Sequence, residues 1–137
     1  MKQTAILTIQ ASVEKANDGS YWCYTPASVS NCVLSGCGKT PQAAIDDMID
    51  AYNEVKEMNE EEGISTPEVS LTFKYDIPSF FAQFDSINVA QFAKDININS
   101  AQLRRYINGG ASAGEAQRAK INNGIKAMRE KLELTIV

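Results

Sequence analysis

The chain has 137 residues, 44% of them hydrophobic and 22% charged, with a net charge of −4 and no histidine. This composition fits one or two small globular domains, and it excludes a disordered chain, a transmembrane helix and any chemistry that needs an imidazole. The three cysteines are not spaced as CxxC pairs and no secretory signal is recognisable, so we expect a cytoplasmic protein without metal, cofactor or membrane association.

Alternating hydrophobicity at the start of the chain predicts a β-hairpin. One face of residues 4–13 carries the hydrophobic set, which is Ala5, Leu7, Ile9, Ala11 and Val13. A period of two with β-branched residues is typical of a strand with one buried face. Residues 17–19, Asn-Asp-Gly, predict the turn because Asp-Gly tolerates positive φ. Residues 21–25 then form a second strand with three aromatic residues, Tyr21, Trp22 and Tyr24. We expect these to pack in the core and at the sheet edge, and a ligand-binding aromatic box is the alternative.

A short strand, a helix and a fourth strand complete the first half. The third strand is predicted at residues 32–35, and Gly36 and Gly38 end it. Thr40 and Pro41 are typical of a helix start, and a hydrophobic stripe follows at helical spacing: Ile45, Met48, Ile49, Tyr52 and Val55. Gly63 predicts the helix end, and residues 69–75 alternate again. The first half is therefore predicted as a β-β-β-α-β unit with a mainly antiparallel sheet.

Acidic residues occupy the remaining side of this helix, and they are Asp46, Asp47, Asp50, Glu54 and Glu57. A Mg²⁺ site would need a strand residue such as Glu14 or Asp18 to join the helix carboxylates. The turn already explains Asp18. The sequence therefore favours a solvated acidic surface over a metal centre. We predict that this surface contacts a basic partner, and the alternative is that a sheet edge makes that contact.

Charge and pattern both change near Asp76, which predicts a domain boundary between residues 1–76 and 77–137. The first segment contains 5 basic and 12 acidic residues and has a net charge of −7. The second contains 8 basic and 5 acidic residues and has a net charge of +3. Two units of opposite charge indicate two different partners. The second segment is expected to start with a short helix near Pro78.

Residues 89–110 have the spacing of a helix-turn-helix. Asn97 falls at the tight turn, where left-handed backbone geometry favours Gly or Asn. The small Ala93 lies four positions earlier and permits a close helix crossing. Hydrophobic residues at the expected offsets hold the two helices together: Phe92, Ile96, Ile98, Leu103, and Tyr106 or Ile107.

The second helix of this pair carries residue types that contact DNA. They stand at outward positions and are Asn99, Ser100, Gln102, Arg104 and Arg105. Amides bind adenine, and arginine binds guanine or phosphate. The excess of basic residues in this half fits the phosphate charge of DNA. We therefore predict that these five residues form an operator-binding surface.

The end of the chain predicts one more helix. Ser112 and Glu115 have the spacing of a capping box, and hydrophobic residues follow at helical spacing: Ile121, Ile125, Met128 and Leu132. Residues 134–137 form an apolar, β-prone tail. Two exposed apolar features on a small domain indicate a symmetric dimer. Packing within one subunit is an equal alternative.

Ordered motifs in the first half carry a family resemblance. They are residues 13–15, the Asp-Gly turn and aromatic strand of residues 18–26, the glycine-bearing residues 32–38, and the helix start at residues 40–45. In this order they resemble the HicB family of antitoxins. The second half is similar to the phage-repressor type of helix-turn-helix that some members carry.

The resemblance implies an α+β protein. Its N-terminal domain would be a partial RNase H-like domain without nuclease activity, and an all-α helix-turn-helix domain would follow. It further implies an antitoxin that masks HicA, a small basic toxin that cleaves RNA, and that binds operator DNA as a dimer or higher oligomer.

Two alternatives stay open. One is a stand-alone helix-turn-helix regulator whose sheet domain senses a ligand or oligomerises, and a gene for a short basic protein beside this one would argue against it. The other is a nuclease of RNase H type, which the sequence disfavours because its acidic residues do not converge. We therefore expect a binding protein and not an enzyme.

Overall fold

The computed structural model describes residues 6–26 and 33–137 as a mixed α+β protein. The chain divides into two compact units, Met1–Gln83 and Phe84–Val137. The elements of the first unit are β1 (Ile6–Lys15), β2 (Tyr21–Tyr24), β3 (Ser35–Gly38), α1 (Pro41–Glu61), β4 (Glu68–Tyr75) and α2 (Ile77–Gln83). Those of the second unit are α3 (Val89–Asp95), α4 (Ser100–Ile107) and α5 (Glu115–Glu133). The predicted β-β-β-α-β order is confirmed.

The four strands form one sheet in the order β3-β2-β1-β4. β1 pairs antiparallel with β2, and β2 pairs antiparallel with β3. β4 pairs parallel with β1, from Ile6 opposite Glu68 to Val13 opposite Tyr75. Parallel pairing requires a crossover, which α1 provides between β3 and β4. Thr4, Ala5 and the predicted loop of residues 27–31 lie outside the described residues.

The turn between β1 and β2 is closed by Asp18 and Gly19, as predicted. Gly19 has a φ of +87°, which a residue without a side chain adopts easily. The hydroxyl and the N–H of Ser20 donate to Oδ1 of Asp18 at 2.6 and 2.9 Å. These bonds lower the pKa of the Asp18 carboxyl because they stabilise its charged form. The turn fixes the register of the hairpin.

One face of the sheet packs against α1 and forms the core of the first unit. The Thr40 hydroxyl accepts the N–H of Ala43 at 3.0 Å and so caps the helix. Gly63 follows the helix end with a φ of +74°. The buried hydrophobic residues of this core are Ile9, Ala11, Val13, Cys23, Leu34, Ala44, Ile45 and Met48. The helix stripe and the β1 alternation thus meet as predicted.

The position of β3 differs from the prediction. We expected a strand at residues 32–35 that Gly36 and Gly38 end, but both glycines lie within β3, and Cys32 lies outside the described residues. A Cβ on Gly36 would lie 2.5 Å from the carbonyl oxygen of Ala44 and would also collide with the backbone nitrogen of Met48. The glycines therefore permit α1 to approach the backbone of β3.

The unit boundary falls after α2 and not before it. Asp76 caps α2 by accepting the N–H of Ser79 at 2.8 Å, and its second oxygen accepts the N–H of Lys15 at 2.9 Å. The rings of Tyr75 and Phe80 meet edge to face, with centroids 6.3 Å apart. These contacts bind α2 to the first unit, so the predicted boundary at residue 76 becomes Gln83.

The second unit contains three helices and no strand, and all of its residues are described. Its last helix starts later than predicted. Gly114 and not Ser112 is the N-cap of α5, and no side chain bonds to the cap. The predicted capping box therefore does not form, because Glu115 is already the first helical residue. No helix in the described part of the chain combines the length and hydropathy needed to cross a membrane.

Candidate functional site

The connection between α3 and α4 is a four-residue turn built around Asn97. This residue has a φ of +58°, in the left-handed region. The N–H of Ile98 donates to the carbonyl of Ala93 at 2.9 Å, and the N–H of Asn97 donates to Lys94 at 3.3 Å. These two bonds end α3 in a Schellman motif. The turn redirects the chain into α4 without leaving these backbone groups unpaired.

Buried side chains hold α3 and α4 together, and they are Phe92, Ala93, Ile96, Ile98, Leu103 and Tyr106, joined by Ile121 from α5. The sequence left open whether Tyr106 or Ile107 is the inner residue, and Tyr106 is the one that is buried. α5 approaches α3 at Gly124, where a Cβ would collide with Ile96. The sequence gives no signal for this contact, because glycine in a helix interior is usually unfavourable.

The five predicted DNA-contacting residues all lie at α4. Asn99 is the N-cap, and its Oδ1 accepts the N–H groups of Ala101 and Gln102 at 2.9 and 3.4 Å. Ser100 is the first helical residue and is exposed. Because its oxygen is occupied by the cap, Asn99 has only its amide N–H groups left for another partner. The two-bond contact with adenine expected of a free amide therefore requires Asn99 to give up the cap.

Arg104 and Arg105 are both exposed, whereas their neighbours Leu103 and Tyr106 are buried. Successive residues of an α-helix are about 100° apart, so the arginines lie on the outer side of α4. Nη1 of Arg105 donates to Oε1 of Gln102 at 3.5 Å, which brings these two side chains together on the surface. Planar guanidinium groups on an exposed helix suit base edges and phosphates.

A cation from α5 lies next to the turn. Nζ of Lys120 donates to the carbonyl oxygen of Asn97 at 3.3 Å. This bond places a positive charge at the C-terminal end of α3, where the helix dipole favours it. Sequence spacing gave no signal for it, because Lys120 and Asn97 belong to different elements.

The acidic residues of α1 form a second surface, in the first unit. All five predicted residues are exposed, and they are Asp46, Asp47, Asp50, Glu54 and Glu57. Oδ2 of Asp47 accepts the N–H of Cys37 at 3.0 Å, which ties this carboxylate to the edge strand β3. Oδ1 of Asp46 accepts the side-chain amide of Gln42 at 2.9 Å. Within the described residues, no three metal-ligating side chains converge.

The sheet face that points away from α1 is polar and largely exposed. Its outward residues are Ile6, Thr8, Gln10, Ser12, Glu14, Trp22, Tyr24, Ser35, Cys37, Glu68, Ser70, Thr72 and Lys74. The expectation of packing in the core or at the sheet edge fails for Trp22, because β2 lies between β1 and β3 and Trp22 is 44% exposed. The buried neighbour Cys23 explains this, since adjacent strand residues point to opposite faces. Alternation along β2 is the sequence signal that places Trp22 on this face.

Comparison of the chain with protein-family models, with curated proteins and with solved structures gave no match.

Proposed function

We propose that this chain is a transcriptional repressor and antitoxin, whose second unit binds operator DNA and whose first unit binds a small basic RNA-cleaving toxin. The observation that carries the DNA-binding part is the α3–α4 pair, with its turn at Asn97 and two exposed arginines on the second helix. This arrangement fits a helix-turn-helix in which α4 enters the major groove. The net charge of +3 on this unit supports contact with phosphates.

The DNA-binding part is tested with the DNA immediately upstream of the gene for this chain. Replacing Arg104 and Arg105 with alanine should weaken binding by about 1–3 kcal/mol for each residue that contacts a base, and should reduce the salt dependence of binding. Fluorescence anisotropy at several salt concentrations measures both quantities. Arg129→Ala is the matched control, because Arg129 is an exposed arginine outside α4. Unchanged affinity and salt dependence in the double variant would reject the α4 surface.

The antitoxin part is supported by the resemblance of the first half to the HicB family and by the charge of −7 on that unit. The strand and helix order fits a partial RNase H-like domain of that type. A toxin that binds RNA needs a basic surface. An acidic partner can cover that surface, and the opposite charges increase the association rate. The exposed carboxylates of α1 suit this electrostatic attraction.

Co-expression with the small basic protein encoded beside this gene tests the antitoxin part. The two proteins should purify together, and the chain should suppress the growth arrest caused by that protein. If DNA binding is found and no such protein binds, the chain is instead a stand-alone regulator.

A symmetric dimer is part of this proposal. Exposed apolar side chains at the end of α5 and beyond support it, with Leu132 66%, Leu134 89% and Ile136 96% exposed. Water contact with such side chains is unfavourable, and a second copy would bury them. Light scattering should give twice the mass of 15.0 kDa for the wild type, and a smaller mass for Leu132→Lys.

A further inference from the structure

The open sheet face of the first unit contains a recess near the turn of the β1–β2 hairpin. Its volume is about 320 Å³, and it is lined by Glu14, Lys15, Ala16, Trp22 and Tyr24. It therefore combines two aromatic rings with one carboxylate. The recess lies on the opposite side of the sheet from α1, so it is separate from the acidic surface of that helix.

Strand register holds the carboxylate beside the rings. Glu14 and Trp22 are direct partners across the antiparallel β1–β2 pair, and Tyr24 lies two residues further along β2. The Tyr24 hydroxyl donates to Oε1 of Glu14 at 2.8 Å. This bond raises the pKa of the Tyr24 hydroxyl above its ordinary value of 10.0, because the hydroxyl donates to a carboxylate. Among the described residues, no side chain donates to the second oxygen of Glu14, which can accept another donor.

We propose that this recess binds an arginine side chain of a basic protein partner. A guanidinium group stacks on an aromatic face and also donates to a carboxylate, and Trp22 with Glu14 offers both. The charge of −7 on this unit attracts a basic protein and repels nucleic acid. Lys15 also lines the recess, and its like charge opposes an arginine there, so the attraction must come from Glu14 and the aromatic rings.

If the arginine belongs to the toxin, the proposal rests on the antitoxin function proposed above. The recess then contributes the specific contact, and the carboxylates of α1 contribute long-range attraction. Charge variants separate the two surfaces, because each has its own carboxylates.

The recess contains its own reporter, because Trp22 is the single tryptophan of the chain. The full chain is titrated with the capped peptide acetyl-Gly-Arg-Gly-amide while tryptophan fluorescence is recorded. The matched peptide has citrulline in place of arginine, which keeps the shape and removes the charge. We expect a saturable fluorescence change with arginine, and binding about tenfold weaker with citrulline.

Two variants locate the binding. Glu14→Gln should weaken arginine binding about tenfold, and Tyr24→Phe should weaken it a few-fold because Glu14 loses its hydrogen bond. Glu54→Gln removes the same charge from α1 and should change the affinity less than twofold. Equal binding of both peptides would overturn the proposal, and so would equal losses in Glu14→Gln and Glu54→Gln.

The peptide titration and the test of the antitoxin function can fail independently of each other. If the peptide binds as expected and no basic neighbour protein does, the recess stands and the antitoxin role fails. If the neighbour protein binds the wild type and Glu14→Gln equally well, the antitoxin role stands and the recess is rejected as its contact site.

Discussion

Three helix ends in this protein depend on one backbone conformation. α1, α3 and α4 are each followed by a residue with positive φ, and these residues are Gly63, Asn97 and Gly109. In each case the next N–H bonds back to the last turn of the helix, as Ile98 does to Ala93. Among the described residues with positive φ, Asn97 alone carries a side chain. The turn between α3 and α4 therefore depends on the tolerance of asparagine for this region.

Alanine at position 97 should destabilise the second unit. Asn97→Ala is expected to lower the free energy of unfolding by about 1 kcal/mol, because alanine is strained at a φ of +58°. Asn97→Gly should be close to neutral, since glycine adopts this region freely. Urea unfolding followed by circular dichroism measures both changes. Asn108→Ala is the control, because Asn108 has an ordinary φ of −81°, and an equal loss there would contradict the explanation.

The two described cysteines of the first unit should differ in reactivity. Burial raises the pKa of the Cys23 thiol to about 11, and Cys37 is exposed. Because the thiolate is the reactive form, iodoacetamide should label Cys37 in the native protein at neutral pH and should label Cys23 only after unfolding. Peptide mapping by mass spectrometry distinguishes the two, and labelling of native Cys23 at the rate of Cys37 would contradict the burial.

The same thiol gives a pH dependence with a definite sign. The unfolded thiol ionises near its ordinary pKa of 9.0, below the folded value of about 11. Burial of neutral Cys23 therefore stabilises the fold fully below pH 9, and this contribution is lost as the pH rises toward 11. Comparison of urea midpoints with those of Cys23→Ala across this range isolates the effect.

At the scale of elements, local pattern explains which strands and helices could be predicted. β1, β4 and α1 have hydrophobic periodicity, and the sequence predicts all three. β3 has no such signal, because its inward residues are Gly36 and Gly38, which have no side chain to pack. Glycine is required at these positions because α1 lies close to β3. This is a tertiary contact, and it produces no hydrophobic periodicity in the sequence.

The glycine in β3 can be tested by adding one methyl group. Gly36→Ala should destabilise the first unit by about 3 kcal/mol, because the new Cβ meets backbone atoms of α1 that no side-chain rotation can move away. Ser35→Ala is the control, since Ser35 precedes it in the same strand and points to the open face. Urea midpoints give the comparison, and equal values for the two variants would show that α1 does not pack this closely.

The α4 surface and the recess also differ in how far the sequence predicts them. The five residues at α4 are consecutive or nearly so in the chain, and one helix brings them together, so the sequence could predict the group. The recess needs Glu14 from one strand and Trp22 from another in a particular register. A pattern within one segment does not contain that register, and the recess was not predicted.

At the scale of the whole molecule, the two units keep opposite charges whichever boundary is used. α2 contains no charged residue, so its transfer to the first unit leaves the charges at −7 and +3. The charge change therefore predicted that two units exist but not where they divide. The burial of Phe81 and the hydrogen bonds of Asp76 assign α2 to the first unit. These are tertiary contacts, which the charge pattern does not reveal.

Separate fragments test the division. Residues 1–83 and 84–137 should each fold alone, the first with mixed sheet and helix content and the second with helix only. A fragment of residues 1–76 should be less stable than 1–83 by about 2–4 kcal/mol, because it loses the burial of Phe81. Circular dichroism and urea unfolding measure this difference. Equal stability of the two fragments would support a boundary at residue 76.

The parallel pairing of β1 with β4 sets an order of assembly for the first unit. Each pair in that ladder joins residues 62 positions apart, as from Ile6 to Glu68, whereas the β1–β2 hairpin closes over a short turn. Loop-closure entropy delays distant contacts, so the hairpin forms early and β4 docks last. During synthesis on the ribosome, one edge of β1 stays unpaired until residue 75 has emerged. That interval is when a nascent chain of this protein is most open to misassembly with other strands.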